Sequence, residues 1–92
     1  MIVSFAHKGL ERFFLTGSKG GIQPDHSRRL QILLTRLHAA QVAKDMDMPG
    51  FRLHSLKGDL SEYWSVSVNA NWRIIFKFTA LGAEVVDYVD YH

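Results

Sequence analysis

Tyr63-Trp64-Ser65-Val66-Ser67-Val68-Asn69, followed by Ala70-Asn71 and then Trp72-Arg73-Ile74-Ile75-Phe76-Lys77-Phe78-Thr79, is the stretch that decides the fold. In the first run Trp64, Val66 and Val68 alternate with Ser65, Ser67 and Asn69, and in the second Trp72, Ile74, Phe76 and Phe78 alternate with Arg73, Ile75, Lys77 and Thr79. A period of two places alternate side chains on opposite faces of a half-buried strand. Asn69-Ala70-Asn71 is short enough to join the two runs as a hairpin. Downstream, Leu81-Gly82-Ala83 predicts another turn and Glu84 to His92 a last strand. Upstream, Arg52 to Ser55 predicts a short strand before a turn at Lys57-Gly58-Asp59.

Further upstream the period becomes helical. Leu10, Phe13 and Phe14 stand at i, i+3 and i+4, and Gly17 can leave a helix through a left-handed conformation, which predicts a helix over Lys8 to Thr16. Ser18-Lys19-Gly20-Gly21 is a flexible link, and Pro24-Asp25 suits a second helix start. Leu30, Leu33, Leu34, Leu37 and Ala40 form one apolar stripe with Arg28, Arg29 and Arg36 off it, predicting an amphipathic helix of about twenty residues that ends by Asp45 to Gly50. Met1 to Phe5 is β-branched and predicts a short strand. The order is β-α-α-β-β-β-β, an α+β domain whose two N-terminal helices pack on one face of an antiparallel-dominated sheet and leave the other face free.

With 92 residues and 47% apolar side chains, the chain is one domain, 1–92, able to bury a core of its own. It has no cysteine, which excludes a disulfide framework, a thiolate nucleophile and a cysteine zinc site. The opening MIVSFAHKGL is too short an apolar run for a signal sequence or a membrane span, so a cytoplasmic protein with no membrane partner is expected. Residues 1–57 carry nine Lys/Arg against four Asp/Glu, and residues 58–92 two against five, so +5 and −3 make the net +2. The basic first part is suited to polyanions, although such an excess is also what an ordinary solvated helix face carries.

On the free face the order brings together His54, Lys57 and Arg73 with the closing Asp90-Tyr91-His92. Cleaving RNA through its own 2′-hydroxyl needs a base for that proton, cations for the developing phosphorane charge and an acid for the leaving 5′-oxygen; His, Lys, Arg and Tyr supply all three. His7, His26, His38, His54 and His92 show no i, i+4 pairing and no HExxH, so no metal or other cofactor is expected. Each residue also has an ordinary reading. Arg73 beside Trp72 can be a stacked structural cation, Lys57-Gly58-Asp59 a plain turn, and a terminal histidine a frayed end. Trp64 and Trp72 read as core, His38 as packed at the sheet edge, and His7 and His26 as helix-end residues.

Leu53-His54-Ser55-Leu56-Lys57-Gly58, Tyr63 to Val68, Asn71-Trp72-Arg73-Ile74-Ile75-Phe76 and the terminal Val89-Asp90-Tyr91-His92 closely resemble the HigB toxins of the RelE/ParE superfamily, from type II toxin–antitoxin systems. The resemblance covers nearly the whole chain and is most specific in its C-terminal half. Ser55 and Glu62 stand where many relatives carry proline and glycine. The resemblance implies a RelE-like fold and a ribosome-dependent mRNA endoribonuclease that cleaves mRNA in the ribosomal A site and stops translation. It implies His92 as the proton-transfer residue, Asp90 orienting it, Lys57 and Arg73 stabilising phosphate charge, Tyr91 positioning the nucleotide, His54 assisting and Asn71 contacting substrate. The implied partners are a HigA-type helix-turn-helix antitoxin, the ribosome and mRNA, with operator DNA reached only through the antitoxin. The alternatives are a ParE-like DNA gyrase inhibitor and a catalytically inactive antitoxin-binding module.

Overall fold

A computed structural model describes residues 1–91, and the role expected of His92 lies outside the described residues. Helix α1 spans Lys8–Thr16. The His7 ring starts it by accepting the Leu10 N–H at Nδ1 (2.9 Å), one of the amides that a helix start leaves without a carbonyl. Gly17, at φ 81°, ends it by donating its N–H to the Phe13 carbonyl.

Pro24–His26 forms a single 3-10 turn that runs into helix α2, Ser27–Ala39. Leu30, Leu33, Leu34 and Leu37 are all buried, each contributing about 1.5–3 kcal/mol over an exposed leucine. The helix is thirteen residues long and so shorter than the stripe predicted. Ala40 is extended, and the Asp45 carboxylate takes the Gln41 (2.9 Å) and Val42 (3.2 Å) amides that a longer helix would have used. A side chain thus outcompetes the helical ladder, and Ala43–Met46 becomes a separate 3-10 turn.

The sheet comprises β1 (His54–Ser55), β2 (Tyr63–Asn69), β3 (Trp72–Thr79) and β4 (Gly82–Asp90), in spatial order β1-β2-β3-β4 with every pairing antiparallel. Met1 to Phe5 does not form the predicted strand. It makes two isolated parallel bridges to β4, Ile2 with Ala83 and Phe5 with Val86. Both helices lie on the face carrying Val66, Ile74, Phe76, Val86 and Tyr88, which form the core with α2's leucines, Leu10, Met46 and Phe51. Trp64 and Trp72 pack against that core half-buried.

The opposite face is not simply open. Ser65 is fully buried there and Ile75 is 6% exposed. The ladder is bulged between Ser67 and Asn69 and again between Ile75 and Lys77, and bulges bend and over-twist a sheet; with Ser65 and Ile75 buried at its centre, we refer to this as the concave face. Among the described residues no helix is long and apolar enough to cross a membrane.

Candidate functional site

Residues paired across an antiparallel ladder share a face, so register places the candidates. One row across the concave face runs His54, Ser65, Ile75, Asp87. The next runs Ser67, Arg73, Val89. A third, on the far side of the first, holds Tyr63, Lys77 and Glu84, with the Lys77 ammonium 5.2 Å from the centre of the Tyr63 ring and 3.6 Å from Glu62. The small Ser65 side chain therefore forms the floor between rows of long side chains.

Among the described residues, two polar atoms on this face are buried without a hydrogen-bond partner: Ser65 Oγ and Arg73 Nη1. They sit on diagonal neighbours, since Ser65 pairs with Ile75 and Ser67 with Arg73. An unmet hydroxyl and an unmet guanidinium N–H each carry a desolvation penalty of about 1–3 kcal/mol, and a cation left unmet under a concave surface is a place for an anion.

Asn71 lies in the β2–β3 turn, next to Ala70 at φ 49°. The register that pairs Arg73 with Val89 and Trp72 with Asp90 continues to Asn71 opposite Tyr91, where the Tyr91 N–H donates to the Asn71 carbonyl at 2.9 Å. Asn71, Arg73 and Tyr91 thus lie on the concave side, with Tyr91 44% exposed. Asp90 does not join them: pairing with Trp72 puts it on the helix side at the strand's end, exposed and near Tyr88.

His54 is exposed, and its Nδ1–H donates to the Arg52 carbonyl at 3.0 Å. A carbonyl only accepts, so this bond fixes the tautomer and leaves the neutral ring's Nε2 with a free lone pair for a proton. The segment before His54 is held from behind. Phe51 is buried, its carbonyl accepts the Ser67 N–H at 2.8 Å, and Arg29 lies over its ring (5.1 Å) while donating to the Gly50 (2.7 Å) and Ser67 (3.0 Å) carbonyls. Arg29 is therefore a clamp within the fold and not part of the solvated basic face expected of it.

Lys57 is exposed and extended, immediately before the 3-10 turn Gly58–Leu60, and the Leu56 N–H donates to the Tyr63 carbonyl at 2.9 Å, tying this loop to the end of β2. Sequence reasoning missed Ser65, which alternation placed among solvated positions and which the structure buries. His7 and His26 are helix-end residues as expected, and His38 accepts the Ile2 N–H at 3.1 Å from an exposed position on α2. Among the described residues no three His, Cys, Asp or Glu come together as metal ligands would.

Comparison with known proteins adds to this geometry. Residues 3–92 match the family described as RelE-like toxin of type II toxin–antitoxin system HigB. The chain belongs to the HigB family of RelE-like toxins. The relative named Endoribonuclease HigB, from Proteus vulgaris, is 39% identical over 92 residues, which cover all of both chains. Toxin HigB-1 of Vibrio cholerae is 32% identical over 98 aligned positions, covering all of this chain and 98% of the relative. The two helices and four antiparallel strands are those of a RelE-like toxin, and the partner of a toxin from a type II system is an antitoxin.

Proposed function

We propose that the protein is an endoribonuclease toxin that cleaves mRNA in the ribosomal A site, arrests translation in the cytoplasm and is neutralised by a HigA-type antitoxin, through which alone it reaches operator DNA. The observation that carries this reading is the buried, unmet Nη1 of Arg73 on a concave sheet face, beside the unmet hydroxyl of Ser65. A phosphodiester laid across that face meets both, and the Endoribonuclease HigB relative makes RNA its source.

In the reaction, a base takes the proton of the ribose 2′-hydroxyl, the 2′-oxygen bonds to phosphorus, and the 5′-oxygen leaves with a proton from an acid. The products are a 2′,3′-cyclic phosphate and a 5′-hydroxyl. Arg73 and Lys57 stabilise the dianionic phosphorane, whose charge exceeds that of the starting diester, so their attraction grows toward the transition state. Tyr91 stacks or hydrogen-bonds the nucleotide and Asn71 contacts it. His54, with Nε2 free, assists in moving protons, and His92 is the principal proton-transfer residue with Asp90 as its orienting carboxylate. Side chains alone supply each of these roles, and we propose the reaction as metal-independent.

The test is to add the purified protein to a translation extract and map mRNA ends. Codon-phased cuts are expected, with cyclic phosphate or phosphate 3′ termini, absent when ribosomes are removed. Cleaved plasmid trapped on gyrase, with intact mRNA, would overturn the reading. Lys57→Ala should lower the cleavage rate about a hundredfold with ribosome affinity little changed, and His92→Ala should nearly abolish cutting in a folded protein.

A further inference from the structure

β4 is an edge strand, bridged on its outer side among the described residues over its first half, at Ala83 and Val86. Its last rung among the described residues is the Tyr91 N–H to the Asn71 carbonyl, and Asn71 itself belongs to a turn. The end of an edge strand frays unless side chains hold it, and a slip of one residue would turn Tyr91 away from the concave face.

What holds it is Tyr88, opposite Ile74 and 4% exposed. Its ring stacks on Trp72 with centroids 4.5 Å apart and planes 30° apart, and the rings of His7 (5.4 Å) and His26 (6.1 Å) close on it edge to face. Its hydroxyl lies 2.6 Å from His26 Nδ1 and accepts the Gln23 N–H at 3.4 Å. The tautomer of His26 sets the direction of this bond; the arrangement that leaves no buried phenolic proton unmet has the hydroxyl donating to the Nδ1 lone pair, with the imidazole's own proton on Nε2. Burial above all, outweighing the Gln23 N–H and helped by the Asp90 charge, raises the Tyr88 pKa above the ordinary phenol value, so the hydroxyl keeps the proton it donates. His26 is 6% exposed at the start of α2, and RNA on the concave face would not touch it.

Building on the ribonuclease reading, we propose that His26 is a positioning residue: its bond to Tyr88, with Trp72 stacked against the same ring, fixes the end of β4 so that Tyr91 stays opposite Asn71 on the face of Arg73. The device joins the helix layer to the strand end that carries Asp90 and Tyr91. His26 acts through Tyr88 and the last rung, never on the substrate.

The experiment compares wild type with His26→Leu, Tyr88→Phe, the double variant and His26→Asn, whose Oδ1 falls where Nδ1 was. Two quantities are read: hydrogen exchange of the Tyr91 amide, and kcat and KM for mRNA cleavage on ribosomes. His26→Leu and Tyr88→Phe should each speed Tyr91 exchange about tenfold while amides at the centre of β3 keep their protection, and should lower kcat about tenfold at near-constant KM. The double variant should be no worse than either single one, and His26→Asn should restore both readouts. Unchanged exchange at Tyr91 in His26→Leu overturns the proposal, as does a loss of protection spread equally over the sheet. Intact mRNA with wild-type protein would sink the ribonuclease reading instead, and Tyr91 exchange still decides the positioning.

Discussion

Arg73 carries a nitrogen that the fold buries and leaves without a partner among the described residues, diagonal to the equally unmet hydroxyl of Ser65. A buried donor without an acceptor opposes folding, so the residue is better explained by a bound anion than by the folded state alone. Arg73→Met keeps the length of the side chain and removes the unmet donor. We expect it to raise the stability of the isolated protein by about 1 kcal/mol, or roughly 4–8 °C in thermal midpoint for a domain of this size, while cleavage falls at least a hundredfold. Thermal unfolding and mRNA end mapping on the same preparation check both halves, and a variant that loses stability would make Arg73 a structural residue. Arg73 was legible in the sequence as a face-mate of Ser65 and Ser67, because alternation alone assigns faces. The burial of Ser65 was not, because curvature comes from bulges, and a bulge leaves no mark in a pattern of alternating residue types.

Among the elements, α1 and the three long strands were legible because burial enforces their periods, and every leucine of the α2 stripe is buried as its spacing demands. The end of α2 was not, because it is set by Asp45, five residues beyond the stripe, through bonds to backbone amides. Those bonds, Gln41 first and Val42 next, hold the Asp45 carboxyl below the usual carboxylate value, and the Arg36 charge acts in the same direction. A lowered folded pKa means that the contribution to stability is present above the unfolded value and is lost as pH falls through the folded one. Asp45→Ala should therefore lower the thermal midpoint modestly at neutral pH and flatten its decline on the acid side. Parallel wild-type and variant curves from neutral to strongly acid pH would remove Asp45 as the stop of α2. The face of Asp90 was not legible at this same scale, since only the pairing of Trp72 with Asp90 assigns it.

For the whole molecule, the charge division read from composition is real, but Arg29 is used as an internal clamp and Arg36 donates to Met48 Sδ at 3.2 Å. Arg28 and Lys44 are left as the exposed cations on and just after α2 most available to ribosomal phosphates. Binding should weaken with salt, and Arg28→Ala should reduce the slope of log affinity against log salt by about one, whereas Arg29→Ala should lower stability. Ribosome co-sedimentation across ionic strengths, beside a melting curve, separates the two; a slope unchanged by Arg28→Ala removes α2 from the interface. The sequential meander also orders events in time. The helices leave the ribosome's exit tunnel first, with their leucines uncovered, while His54, Arg73 and Tyr91 follow on strands made last. A nascent chain interrupted before the fourth strand therefore holds no assembled pocket, so abortive synthesis of this poison yields harmless fragments.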